Sequence, residues 1–160
     1  MTSALDTNVI LDVLVPGSPF QLASQNALDD SLRNGTLIMG EVVYSELAAH
    51  FPNQGSLDTF LMDTGIQVVP TSREGLSRAG LAWREYRRRR PDHPACPQCG
   101  HGQRITCSSC QRAIPWRQHL ITDFLVGGHA SVQSDQLVTR DRGYYGKYFP
   151  DLTILDPGQE

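Results

Sequence analysis

The chain has 160 residues, 39% of them apolar and 19% charged, with a net charge of −3. That size and balance suit one globular domain with a buried core and leave little room for a second domain. No apolar run is long enough to span a bilayer, and Met1 leads into a strand-like segment rather than a basic leader, so a cytoplasmic protein is expected.

Ser3–Leu5 is a short apolar strand that ends at Asp6. Thr7 and Asn8 can cap the next helix, where Val9, Ile10, Val13 and Leu14 recur at helical spacing until Pro16 and Gly17 stop it. Gln21–Arg33 carries a second helical stripe of Leu22, Ala23, Ala27, Leu28 and Leu32, with Asn34 and Gly35 as the stop. Thr36–Met39 is a strand, Glu41–Phe51 a helix ended by Pro52, Leu57–Asp63 a helix closed by Gly65, and Ile66–Val69 a β-branched strand. Arg73–Arg90 is a long helix that becomes very basic. Between Arg84 and Arg117 eight Arg stand against only Glu85 and Asp92. A phosphate-rich partner can use such a window, which makes Arg87, Arg88, Arg89, Arg90, Arg104, Arg112 and Arg117 nucleic-acid-binding candidates. A solvated helix end, where Arg suits the dipole, explains part of it equally well.

Composition changes at Pro91–Pro115, which holds all four Cys and four of the ten Pro with little apolar content. This reads as an insertion within one domain, residues 1–156, rather than as a linker. Helical periodicity returns over His119–Val132. Gln136–Thr139 is a strand, Arg140–Gly143 a turn and Leu152–Leu155 a last strand. Strands alternating with helices predict an α/β fold whose central sheet is mainly parallel and flanked by helices.

Open parallel sheets place their sites at the carboxyl ends of strands. Asp6 closes the first strand, and Asp141 follows the Leu137–Thr139 strand. Two more acids lie against apolar helical stripes: Glu46 among Val42, Val43 and Leu47, and Asp123 beside Leu120, Phe124 and Gly127. Burying a carboxylate is costly unless it is paired or binds a metal. Four acids drawn to one sheet end would repel, and a hard divalent cation such as Mg²⁺ or Mn²⁺ relieves that. Each acid also has a structural reading: Asp6 as a helix cap, Asp141 as a turn residue, Glu46 snorkelling from a helix edge, Asp123 favoured by a helix dipole.

The segments that carry these acids resemble the motifs of PIN-domain proteins. L-D-T-N-V-I-L-D at Leu5–Asp12 resembles the first motif, V-V-Y-S-E-L-A at Val42–Ala48 the second, T-D-F-L-V-G-G-H-A at Thr122–Ala130 the third and L-V-T-R-D-R-G-Y-Y at Leu137–Tyr145 the fourth. Order and separation match across nearly the whole chain outside the Cys insertion, and the size is similar to that of VapC-like toxins of VapBC-type toxin–antitoxin pairs. The resemblance implies a PIN-like fold and an endoribonuclease whose catalytic, Mg²⁺- or Mn²⁺-binding residues are Asp6, Glu46, Asp123 and Asp141. Thr7, Asn8 and Thr139 would support them. It further implies an RNA substrate, hydrolysis to 5′-phosphate and 3′-hydroxyl ends, a cognate antitoxin and a homodimer. Gly127 and Gly128 depart from the small Ala-like residues usual there. Asp12 and Glu41 are nearby acids expected to be peripheral. The rival readings are a non-catalytic RNA- or protein-binding module that keeps the fold, and a DNA-directed or structure-specific nuclease.

Cys96-Pro97-Gln98-Cys99 and Cys107-Ser108-Ser109-Cys110 are two C-x-x-C pairs. Together they supply a tetrahedral Cys₄ set for structural Zn²⁺ and resemble a minimal zinc ribbon; disulfides suit a cytosolic protein poorly. His93, His101 and His119 are not needed as ligands. Trp83, Tyr86, Tyr144, Tyr145, Tyr148 and Phe149 can stack on bases, but packing onto the core is the more ordinary use of such residues.

Overall fold

The computed structural model describes residues 1–89, 93, 96, 99, 101–114 and 120–158. Five strands, β1 (Thr2–Leu5), β2 (Thr36–Met39), β3 (Ile66–Val68), β4 (Gln136–Val138) and β5 (Ile154–Leu155), form one sheet in the order β3-β2-β1-β4-β5, and every pairing is parallel. The inner strands are short apolar runs because helices cover both faces; Leu5, Leu37, Met39, Leu137 and Val138 are all buried. Among the described residues seven helices connect and flank them: α1 (Thr7–Leu14), α2 (Gln21–Arg33), α3 (Glu41–Ala48), α4 (Gln54–Thr64), α5 (Arg73–Arg89), α6 (Ile121–Gln133) and α7 (Arg142–Tyr148). None of the helices among the described residues is long and apolar enough to cross a membrane.

The topology fixes where chemistry can gather. The chain leaves β1 for β2 on one side and later places β4 on the other. The strand order therefore reverses at β1, where an open sheet leaves a crevice beyond its carboxyl ends. Leu5 is in register with Val138, and the Asp6 N–H donates to the Val138 carbonyl at 3.1 Å. Asp6 and Thr139, the next residue of each strand, consequently stand side by side at that crevice.

The paired glycines of α6 have a packing role. A Cβ on Gly128 would collide with the Gly75 carbonyl and come within 2.8 Å of the Ala79 Cβ, and one on Gly127 would collide with the Phe149 ring. Two positions without side chains let α5 and the segment after α7 approach α6 at backbone distance. The aromatic residues pack as well. Phe124 is fully buried, with Trp83, Tyr86, Tyr144 and Tyr148 all around its ring at centroid separations of 5.0 to 5.5 Å.

Several boundaries differ from the sequence reading. The turn expected at Arg140–Gly143 is the start of α7, nucleated because the Asp141 side chain accepts the Tyr144 N–H at 3.3 Å. The last strand shrinks to Ile154–Leu155, and the third helix ends at Ala48 instead of Phe51. The fourth helix starts earlier, because Asn53 caps it through the Ser56 N–H. The sixth starts at Ile121; His119 lies outside the described residues.

Candidate active site

Asp6 occupies the N-cap position of α1, yet its carboxylate makes no cap hydrogen bond. It turns instead across the crevice. Oδ2 accepts from Asn8 Nδ2 at 2.8 Å, Thr139 Oγ1 at 2.7 Å and Tyr145 Oη at 3.3 Å. Thr139 is fully buried and Asp6 is only 9% exposed. Burial pushes the Asp6 carboxyl above its ordinary range, and the charge of Glu46 pushes it further, against hydrogen bonds from the Thr139 hydroxyl, the Thr7 backbone and Tyr145. Among the described residues no Lys or Arg forms an ion pair with Asp6, Glu46 or Asp141.

The other three acids reach this point from separate elements. Glu46 comes from α3, whose Val43 and Leu47 are buried against the core, and its Oε2 accepts from the Thr7 hydroxyl. Asp123 lies in the first turn of α6, where Oδ2 accepts the Leu120 N–H at 2.9 Å. Asp141 caps α7 through Oδ1. Tyr145 links them. Its phenol donates to Asp6 and is held well above its ordinary pKa by burial, then by the charges of Asp6, Asp123 and Asp141. Tyr144 is raised by burial, and Asp123 and Asp141 act on it too. Neither phenol is a base at neutral pH. The four acids singled out in the sequence thus share one electrostatic neighbourhood, Glu46 through Asp6 and the other three through Tyr145.

The supporting residues do what their chemistry suggests. Thr7 and Thr139 each tie one acid, and Asn8 bridges the two strand ends: Nδ2 donates to Asp6 and to Thr139 Oγ1 (3.2 Å), while Oδ1 accepts the Arg140 N–H (3.3 Å). The side-chain bonds to Asp6 all fall on Oδ2, that to Glu46 falls on Oε2 and the cap bond of Asp141 falls on Oδ1. Carboxylates held in this way are oxygen ligands of the kind a hard cation takes. Among the described residues no three Asp, Glu, His or Cys side chains close into a metal-binding group. Like charges hold each other apart, and the four acids are linked through Asp6 and Tyr145 rather than closed into a cage among the described residues.

The two acids expected to be peripheral are engaged elsewhere. Glu41 accepts from the Thr71 N–H at 2.9 Å and its hydroxyl at 2.8 Å. Those bonds and its own backbone N–H outweigh burial and hold its pKa low. His129, also on α6, lies 3.4 Å from the Thr71 hydroxyl and is 2% exposed; burial lowers its pKa, so it is neutral near pH 7. Asp12 is buried and ion-paired with Arg140. The Tyr145 bond to Asp6, the approach of His129 and Glu41 to Thr71 and the Asp12–Arg140 pair have no spacing signal in the sequence.

In the insertion, Thr106 bridges Ala113 in antiparallel fashion and the Ile114 N–H donates to Ile105, so 105–114 is a small hairpin. The Cys107 thiol is held below its ordinary pKa by the backbone N–H groups of Cys110 and Ser109 and by the Cys110 thiol. Cys96, Cys99 and Cys110 are exposed. Arg104 and Arg112 are exposed around the hairpin, as are Arg87, Arg88 and Arg89 at the end of α5, where Arg88 and Arg89 pair with Glu85. Arg90 and Arg117 lie outside the described residues.

No protein-family model matches the sequence, and no curated protein matches it. Solved structures do. A chain of VapBC2 from Rickettsia felis, bound to a DNA fragment from its promoter, superposes with a TM-score of 0.62 at 20% identity over 98% of both chains. VapBC-1 from nontypeable Haemophilus influenzae gives 0.62 at 18% over 99% of this chain and 100% of that one. A toxin–antitoxin complex from Klebsiella pneumoniae gives 0.62 at 13% over 99% of each. The fold is that of the PIN domain. The likeness, an α/β fold with an all-parallel sheet flanked by helices, runs over nearly the whole of each chain.

Proposed function

We propose that this chain is a Mg²⁺- or Mn²⁺-dependent endoribonuclease, the toxin half of a VapBC-type toxin–antitoxin pair acting in the cytoplasm. One observation carries the reading. Asp6, at the reversal point of a PIN-like sheet, is buried with no cationic partner among the described residues, and Glu46, Asp123 and Asp141 converge on it and its partner Tyr145. Asp6, Glu46, Asp123 and Asp141 would hold the cation. When bound, such a cation offsets charge on the phosphate oxygens and activates water for in-line attack on phosphorus.

The chain's own residues prepare that event. Thr139, Asn8 and Tyr145 fix Asp6 Oδ2 at the crevice beyond the strand ends; Thr7 holds Glu46 Oε2 in the same way. The Asp141 cap makes the position of that carboxylate depend on α7. Glu46 and Asp123 are half-buried and Asp141 is exposed, so a polyanion can reach the acids. In this reading the basic window supplies phosphate contacts that the acidic centre cannot. An antitoxin would cover the same crevice, in keeping with neighbours solved as toxin–antitoxin complexes, and the protein would be a homodimer.

The proposal gives the 91–115 insertion a structural Zn²⁺ on Cys96, Cys99, Cys107 and Cys110. The Cys107 thiol, already receiving two backbone N–H groups, fits a thiolate knuckle. The deciding experiment is cleavage of single-stranded RNA with Mg²⁺ or Mn²⁺, by wild type, Asp6→Asn and Asp141→Asn. Divalent-dependent cleavage lost in both variants is expected. Wild-type activity in both would sink the assignment. RNA binding without cleavage would mark a non-catalytic module, and a preference for DNA would redirect the nuclease reading.

A further inference from the structure

Asp12 is an acid the proposed chemistry does not use, yet it is more deeply buried than Asp6, at 6% exposure. Its Oδ1 accepts from the Ser18 hydroxyl at 2.9 Å and its Oδ2 from the Ser24 hydroxyl at 2.9 Å, and Oδ2 is ion-paired with Arg140, 2.8 Å from its Nε. The Arg140 guanidinium also lies over the Phe20 ring, 4.5 Å from its centroid. One carboxylate therefore gathers α1, the 15–20 segment, α2 and the residue between Thr139 and Asp141.

That last attachment gives the cluster a reach beyond packing. Thr139 donates to Asp6 and accepts the Asp141 N–H at 3.1 Å. The Arg140 N–H goes to Asn8, which also holds Asp6. Asp141 in turn caps the helix that carries Tyr145. The backbone of 139–141 thus sets one bond to Asp6, the place of one acid and the start of α7, and its middle side chain is held by Asp12. The pair also keeps the guanidinium on Asp12 and Phe20 rather than on the neighbouring Asp141. Partial burial makes the Asp12–Arg140 attraction stronger than any that Arg140 would form with exposed Asp141 in water.

We propose that Asp12 is a positioning residue of the carboxylate site, acting through Arg140 on the 139–141 segment; the proposal rests on the metal-site reading above. Two readouts test it: metal-free amide hydrogen exchange over 139–145, and Mn²⁺ affinity by calorimetry. In Asp12→Asn and Arg140→Gln, exchange over 139–145 is expected to accelerate and Mn²⁺ binding to weaken about ten- to hundredfold, the usual effect of removing a group behind a metal ligand. Arg140→Lys keeps the charge and should recover part of both. Leu57→Ala, in the core beneath α4, should lower Tm and leave both unchanged. Unaltered exchange over 139–145 in Asp12→Asn would overturn the proposal, as would equal weakening in Leu57→Ala at a matched Tm. Failure of the metal-site reading looks different: Asp6→Asn would bind Mn²⁺ as wild type does. The exchange measurement needs no metal and still decides whether Asp12 holds the segment.

Discussion

Replacing Asp6 with Asn separates a metal ligand from a structural acid, because the two roles give stability changes of opposite sign. Asn keeps an oxygen where Oδ2 now accepts Asn8, Thr139 and Tyr145. The fold loses the charge assistance in those bonds, about 1 kcal/mol apiece. Against this stands removal of a buried charge, worth several kcal/mol, together with relief of repulsion from Glu46. The raised Asp6 pKa says which side wins: the fold prefers an uncharged group there. Metal-free Asp6→Asn should therefore melt above wild type at pH 7. The pH dependence follows in sign. The folded state holds its Asp6 proton to higher pH than the unfolded chain, so metal-free wild type loses stability as pH rises from the ordinary carboxylate range through the raised pKa. Asp6→Asn should lack that part of the slope. Adding Mg²⁺ should reverse the ranking. At a hundredfold over its Kd, a ligand of the native state adds about 2.7 kcal/mol, or roughly 5 to 10 °C for a domain of this size. Asn presents an N–H₂ where Oδ1 stood and should gain almost nothing. Melting curves in EDTA and in graded Mg²⁺, from pH 4 to 8, provide the assay. Asp6→Asn melting below wild type in EDTA, or an equal Mg²⁺ shift in both, would refute the reasoning.

Gly128→Ala should destabilise: overpacking against Gly75 and Ala79 costs about 1–3 kcal/mol and exceeds the roughly 1 kcal/mol of helix propensity gained, which thermal melting would show as a lower Tm. Freshly reduced protein should carry about one Zn²⁺ per chain by elemental analysis, matching one four-ligand set, and Cys107→Ser should lose it without altering Mn²⁺ binding; zinc held by Asp6 and its neighbours instead would contradict the division of the two sites. If Arg104 and Arg112 touch phosphate, each Ala substitution should reduce the slope of log K against log salt for RNA binding by about 1, and unchanged slopes would move RNA contact elsewhere. Expression alone should arrest growth, and co-expression with an adjacent small gene should relieve it; harmless expression of a folded, cleaving protein would count against a toxin role.

How legible the site was depended on whether a residue's position follows from local spacing. Asp6 and Asp141 were visible because they follow short apolar strands, and a parallel sheet aligns strand ends. Glu46 and Asp123 were visible because a charge within an apolar helical stripe is costly and needs a reason. The Tyr145 bond to Asp6 was not visible. T-R-D-R-G has the composition of a turn, and two glycines lie within the seven residues of α7, so local propensity argues against a helix there. That helix exists because Asp141 caps it locally and because Tyr144 and Tyr145 are buried, and the second cause is tertiary. Asp12 was expected to be peripheral, and its carboxylate is indeed engaged away from the acids, with Ser18, Ser24 and Arg140; its pairing with Arg140, distant in sequence and adjacent in space, has no local signal. Spacing finds residues that must face a given point. It does not find the partners that hold those residues there, because such partners are chosen by contacts that form only when the sheet has closed. The local pattern therefore exposed the acids and the motif hydroxyls of Thr7 and Thr139, and the fold was needed to expose the Tyr145 bond to Asp6 and the Asp12–Arg140 pair.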